Sequence, residues 1–422
     1  MKIESDLKTP IIVTTSHSVI LFDAELRNST KIHYGSGLYY GIAELNEYIY
    51  IACRNNLNCY DNDKENCQLI VFDRAFKEVK RISPSFEFGD VHGILTINNE
   101  IWCTSTADNS IAIWNSESNI WRKWYPLSER GQDINHFNTI VKLCKNRIGL
   151  VAHNKGDSVL YTFDLEPLQL LETKALGVHA HNFWLDNNHN VFTCSSALGY
   201  LINSNSKIIQ IGSFPRGVAY NGRHYLVGVS ELSSREKRNE TNGYIRIYDK
   251  DWLHMYDIIL PEEGMVLDIL PLKNKVLNIK SNSILQTIES VKLDVRYLGS
   301  EQADFWLNNS EWSEPEEYRW TISKKSTVNI AYNHYHKFME IHGYNEHYIN
   351  EDIFFSINDE FVGKYKLEKK GKFDVLIKLP KNLCNINLKL IISVPYLVLY
   401  SNKSKNPERN LGIAIKSIKY IK

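Results

Sequence analysis

An all-β chain is expected here: a six-bladed β-propeller closed by its N-terminal strands, followed by a jelly-roll-like β-sandwich. Three observations predict it. A short apolar phrase ending in Asp or Asn recurs at roughly 39 to 50 residues, the length of a four-stranded blade. Paired apolar runs with polar turns between them precede each copy, and the spacing stops near residue 288.

The phrase begins at Val19-Ile20-Leu21-Phe22-Asp23 and returns as Leu69-Ile70-Val71-Phe72-Asp73, Ile111-Ala112-Ile113-Trp114-Asn115, Leu160-Tyr161-Thr162-Phe163-Asp164 and Ile245-Arg246-Ile247-Tyr248-Asp249. A weaker copy is Gly199-Tyr200-Leu201-Ile202-Asn203. It reads as the outer strand. Inner and middle strands precede it at 40–43 and 48–52, 93–95 and 100–103, 138–141 and 148–151, 182–185 and 191–193, and 217–220 and 225–228. The last inner strand, 265–270, has a middle strand at 276–279 and no phrase after it, whereas Ile11–Thr15 and Ser18–Asp23 read as outer strands with no inner ones before them. Joining the two halves completes a sixth blade and removes an exposed sheet edge. Residues 1–288 are therefore assigned to the propeller and 289–422 to the sandwich, whose runs include 328–332, 353–357, 373–377, 388–392 and 413–415.

A chain of 422 residues exceeds one ordinary compact core, and 43% hydrophobic with 23% charged residues describes a folded protein. Lys+Arg and Asp+Glu both number 49, so no overall field recruits nucleic acid. The N-terminus lacks an apolar signal region, and no run approaches the roughly 18 apolar residues of a membrane span, so a cytoplasmic location is expected. Seven Cys without a CxxC pair indicate neither a disulfide framework nor a zinc knuckle. Cys53, Cys103, Cys144 and Cys194 are expected as small buried hydrophobes. His334, Tyr335, His336, His342 and His347 read as a surface patch flanked by loop.

Candidate chemistry lies where the polar openings before the inner strands converge: Asp90-Val91-His92-Gly93, Ile134-Asn135-His136-Phe137-Asn138, Gly177-Val178-His179-Ala180-His181-Asn182 and Phe214-Pro215-Arg216-Gly217. Counting back from the middle strands puts Tyr40, His92, Asn138, His181, Arg216 and about Val266 at one level, with His136 and His179 two residues earlier on the same face. Imidazoles on rigid strands supply ligands for one divalent ion (Zn, Fe or Mn), the expected set being His92, His136, His179 and His181. Without metal the same groups suit acid/base work: His136 and His179 as acid/base groups, Tyr40 as proton donor and Arg216 as a fork for a carboxylate or phosphate. Asp90, Asp133 and Asn182 are placed to orient the rings. Substrate contacts are expected from Arg54, Asn138, Asn182 and Arg216, and from Arg235 and Arg238 in the polar insertion 230–243. Motifs of serine hydrolases, phosphate loops, zincins and dinucleotide folds are absent.

The phrases His92-Gly93, His136-Phe137-Asn138, His179-Ala180-His181-Asn182 and Pro215-Arg216-Gly217 resemble those of bacterial gluconolactonase-like and virginiamycin-lyase-like propellers. That resemblance implies metal-assisted lactone or lyase chemistry in the central channel, although the acidic ligands typical of the lactonases are missing. Residues 312–321 and 406–418 resemble a β-sandwich attached to bacterial glycosyltransferases and surface-polysaccharide proteins, which implies carbohydrate binding. The combined expectation is a lyase or hydrolase acting on a sugar, glycoconjugate or other small anionic substrate in polysaccharide biosynthesis. The alternative is a non-catalytic glycan- or protein-binding scaffold.

Overall fold

A computed structural model of the chain describes residues 9–54, 66–127, 131–185, 191–203, 208–231, 233, 237–273, 283–284, 287–288, 295–297, 307, 310–314, 318–331, 337–347, 349–380, 387–400 and 409–421. The chain opens with β1 (Ile11–Thr15), β2 (Ser18–Phe22) and β3 (Asn28–Tyr34). Four strands, β4 (Leu38–Leu45), β5 (Tyr48–Arg54), β6 (Gln68–Phe72) and β7 (Glu78–Ile82), then form an antiparallel meander. The same order recurs in β8 (Ile94–Ile97), β9 (Glu100–Ser105), β10 (Ser110–Asn115) and β11 (Ile120–Trp124), and again in β12 (Phe137–Cys144), β13 (Arg147–Ala152), β14 (Asp157–Leu165) and β15 (Leu168–Val178). Two more meanders follow: β16 (Ala180–Leu185), β17 (Val191–Ser195), β18 (Tyr200–Asn203) and β19 (Ile208–Gln210), then β20 (Phe214–Tyr220), β21 (Tyr225–Ser230), β22 (Gly243–Tyr248) and β23 (His254–Leu260). Finally β24 (Val266–Pro271) pairs with β1, so its sheet runs β24-β1-β2-β3. This is a propeller-type all-β fold. Among the described residues the only helical elements are two 3₁₀ turns, and no helix is long and apolar enough to cross a membrane.

Both faces of a sheet stacked between neighbours are covered, so its central strands read as continuous apolar runs. All five residues of β2 and six of the seven in β5 are buried. The recurring phrase occupies the third strand of each sheet, not the outermost. Outside it lies a fourth, polar strand that the apolar pattern does not reveal, such as β7 or β15, which has eight consecutive exposed residues. In the sheet joined from both ends, Ile11–Thr15 takes the second place next to β24, the place expected for 276–279, which lie outside the described residues. The first strands β4, β8, β12, β16, β20 and β24 each pack against the next, and β24 also packs against β4.

Short strands β25 (Ser283–Ile284) and β26 (Thr287–Ile288) add to β3 and β23. Beyond them are β27 (Val295–Tyr297), β28 (Arg319–Trp320), β29 (Lys325–Ala331), β30 (Phe338–Asn345), β31 (Asp352–Ile357), β32 (Glu360–Lys366), β33 (Gly371–Lys378), β34 (Asn387–Ser393), β35 (Val398–Tyr400), β36 (Arg409–Leu411) and β37 (Ala414–Ile421). They make one sheet ordered β27-β37-β30-β33, with β28 on β37, and a second ordered β29-β34-β31-β32. Strict alternation in β30 and β33 turns Met339, Ile341, Val375 and Ile377 into a core shared with Val328, Ile353, Phe355 and Leu390 of the other sheet. The hairpin between β31 and β32 turns at Asn358 and Asp359, both at positive φ as a two-residue turn of this hand requires. His342 lies on β30 rather than in a loop, with its Nδ1 2.6 Å from Asp374; His334, Tyr335 and His336 lie outside the described residues.

Candidate functional site

Five of the first strands carry an extra residue. Pairing skips at 40–41 in β4, Asn138 in β12, Asn182 in β16, Gly217 in β20 and Leu267 in β24. Such bulges re-aim the neighbouring side chains. At Asn182 (φ 54°) and Gly217 (φ 70°) the backbone is left-handed, a conformation that Asn and Gly tolerate best. The freed groups link sheet to sheet. Gly41 N donates to His92 O (3.2 Å), Asn182 N to Thr139 Oγ1 (3.0 Å), Gly217 N to Asn182 Oδ1 (2.8 Å) and Ile42 N to Asp268 Oδ2 (3.2 Å). Inside this belt is a cavity of about 140 Å³ whose wall includes Tyr40, His92, Asn138, His181, Arg216 and Asp268.

A row of imidazoles connects His92 with His181, both on the cavity wall. Ring centroids are 5.0 Å apart for His92 and His136, 4.8 Å for His136 and His153, 3.9 Å for His153 and His179, and 4.9 Å for His153 and His181. Burial lowers the pKa of His92 and His179 to about 4 and holds His153 and His181 well below the usual imidazole range, so these four are neutral at pH 7. His181 Nδ1 lies 2.9 Å from His179 O and 3.0 Å from Ser196 Oγ, which itself donates to Pro215 O. A carbonyl only accepts, so Nδ1 carries the proton and Nε2 keeps the lone pair. By the same argument the Nδ1 of His136, 2.9 Å from the Asp133 carboxylate, carries the proton of that bond. Asp90 Oδ1 is 2.9 Å from His92 Nε2, and the donor atoms of Asp90, His92 and His136 lie within 4.8 Å of one another.

The buried arginines of the first sheets differ in their partners. Arg54 pairs with Asp90 and lies over the Tyr40 ring, and Arg246 forms a fork with Asp257 at 2.9 and 3.0 Å. Arg216 is 7% exposed and no carboxylate pairs with it among the described residues; its Nε has no hydrogen-bond partner, and its Cζ stands 5.1 Å over the Phe214 ring. Burial lowers its pKa, the Tyr40 hydroxyl partly offsets that, and the nearby charge of Arg238 lowers it further.

The structure brings Tyr40, His92, His136, Asn138, His179, His181, Asn182 and Arg216 together, as the residue count from the middle strands expects. Arg54, expected on the substrate, is instead paired with Asp90 inside the protein. Asn138 and Asn182, expected on the substrate, brace the belt: Asn138 Nδ2 donates to Ala180 O (2.8 Å) and Asn182 Nδ2 to Asp268 Oδ1 (3.1 Å). Asp133 orients the His136 ring, whereas Asp90 lies 2.9 Å from His92 Nε2 without a hydrogen bond to it, and Asn182 bonds to no ring among the described residues. Arg235 lies outside the described residues. The expected four-imidazole metal set divides: His92 and His136 converge with Asp90, while His179 and His181 lie beyond His153. Two site residues escape the sequence pattern. His153 follows a second strand, not the opening of a first one, and Asp268 takes the place at the cavity wall expected near Val266.

No family model and no curated protein matches the chain. Among solved structures, a chain of the nidogen/laminin complex is similar at 10% identity and a TM-score of 0.46, covering 62% of this chain and 97% of its own length. A protein of unknown function from Bacteroides caccae is similar at 10% identity and 0.46, covering 63% and 100%. Virginiamycin B lyase from Staphylococcus aureus is similar at 10% identity and 0.34, covering 56% and 95%. What the chain's own sheets establish is a propeller-type all-β fold with a polar cavity among its first strands.

Proposed function

We propose that the six sheets of residues 1–288 are blades of one ring closed where β1 pairs with β24, that residues 289–422 form a β-sandwich, and that the central cavity is an enzyme site, lyase or hydrolase in type, for a small anionic substrate. Packing of each first strand on the next, β24 on β4 included, supports the ring. One observation carries the function: Arg216 is buried on the cavity wall, and among the described residues no carboxylate pairs with it. A buried charge left uncompensated costs several kcal/mol, whereas the protein gives Arg54 and Arg246 their own acids. The missing partner is an anion from outside. Arg216 takes its carboxylate, Tyr40 donates to it, and the lone pair of His181 Nε2 accepts a proton. A cavity of about 140 Å³ holds a molecule of roughly benzene size, so it suits a small acid or the acidic end of a larger saccharide.

The test is a calorimetric screen of small carboxylates against wild type and Arg216→Gln, with turnover followed for any binder. Saturable binding that disappears in the variant is expected. Equal binding by both proteins, or none to wild type, would sink the anion reading and leave the non-catalytic scaffold.

A second reading rests on Asp90, His92 and His136. Two imidazoles and a carboxylate within 4.8 Å fit Zn, Fe or Mn, and such an ion would supply Lewis acidity beside the cavity. Arg54 on the same Asp90 works against it by adding a positive charge. Elemental analysis of untagged protein decides: about one equivalent of metal per chain, lost in His92→Ala/His136→Ala, is the outcome this reading requires.

A further inference from the structure

Arg216 is not the only buried ionisable group on the cavity wall that has no counter-ion among the described residues. Asp268, on β24, accepts from Asn182 Nδ2 (3.1 Å) and from the backbone N–H groups of Ile269 (2.9 Å) and Ile42 (3.2 Å). None of these donors is charged. Among the described residues no Lys, Arg or His pairs with it, and Oδ2 takes one bond only, from Ile42, which leaves a lone pair. Burial raises its pKa to about 7, as expected of a carboxyl that lacks a cationic neighbour.

Among the described residues no ion pair joins this carboxylate to Arg216. Asn182 links their two strands, its Oδ1 accepting from Gly217 N, next in the chain to Arg216, and its Nδ2 donating to Asp268 Oδ1. Tyr40, His92 and His181 complete the polar wall, and none of them contributes to the Asp268 shift. One cavity thus presents an unmatched guanidinium and an unmatched carboxyl. A simple anion would satisfy the first and leave the second.

We propose that the cavity takes a short zwitterion, its carboxylate on Arg216 and its ammonium on Asp268, in the class of small amino acids. This rests on the anion reading above and narrows it. Such a ligand is neutral overall, so its entry leaves no net charge buried, and each end meets an opposite charge with the strength of a charge-assisted hydrogen bond. The volume of about 140 Å³ suits a small amino acid lying wholly inside the cavity.

The experiment uses the full chain and three matched probes: 4-aminobutyrate, butyrate and butylamine, with glycine and β-alanine to vary the span. Calorimetry at pH 7 is expected to show at least one of the three amino acids binding roughly tenfold or more tighter than butyrate, and butylamine binding weakly. Asp268→Asn should abolish the preference while keeping butyrate affinity. Titrations of wild type in two buffers of different ionisation heat give a readout independent of the variant's folding: the amino acid, and not butyrate, should release protons as its ammonium draws Asp268 into the ionised form. Butyrate binding as tightly as every amino acid, or without any difference in proton release, overturns the zwitterion and leaves the anion reading standing. Failure of all five probes overturns both.

Discussion

Arg216 sets the residue-scale trade between binding and stability. An uncompensated buried charge held for a ligand weakens the ligand-free fold, so Arg216→Met should raise the unfolding free energy by about 1 kcal/mol or more while abolishing carboxylate binding. Thermal melts with and without ligand check this; a lower melting temperature without ligand would show that the guanidinium is structurally satisfied. The imidazole row makes a second prediction. A buried imidazole with a lowered pKa binds fewer protons folded than unfolded between about 4 and its ordinary 6.5, so acidification through that window favours unfolding. Asp268 acts the other way, because its raised pKa lets the folded state hold an extra proton between 3.8 and about 7. Four imidazoles outweigh one carboxyl. The melting temperature should fall as pH drops from 6.5 towards 4, and His153→Gln should make that fall shallower.

At the scale of elements, the bulged first strands need small or left-handed residues where the sheets meet. A Cβ on Gly41 would lie 2.6 Å from Ile94 N, and one on Gly93 would lie 2.7 Å from Asn138 O, so neither backbone can admit a side chain without shifting. Gly363, on β32, has nothing within 4 Å of that position. Gly41→Ala is therefore expected to cost several kcal/mol, in the range of overpacked cores, and Gly363→Ala to stay within about 0.5 kcal/mol, as denaturant titrations would show. A tolerant Gly41→Ala would mean that the first strands do not approach as described. Asn182→Ala removes the links to Gly217 and Asp268 together and should cost about 2 kcal/mol, since two buried polar groups lose partners.

For the whole molecule, the β1–β24 pairing makes Ile11–Thr15 part of the last sheet. Deleting residues 1–27 would expose β24 as an edge and should yield aggregating protein, whereas ending the chain at 288 should leave a cooperative unfolding transition. Comparable solubility of both truncations would remove the closure from the account. Much of this architecture was legible in the sequence because burial on both faces gives the second and third strands unbroken apolar runs at a fixed period. The outermost strands were not legible, since one exposed side lets β7 and β15 be polar and imposes no pattern. The convergence of Tyr40, His92, Asn138, His181 and Arg216 also followed from the sequence, because a repeat fixes the height of each residue on its strand. Repetition says nothing about which charges meet. That Asp90 answers Arg54, that His153 joins the imidazole row, and that Arg216 and Asp268 line a cavity with no counter-ion among the described residues were decided only in three dimensions. Ion pairing depends on separations of a few ångströms between residues distant in the chain, and no local pattern encodes them.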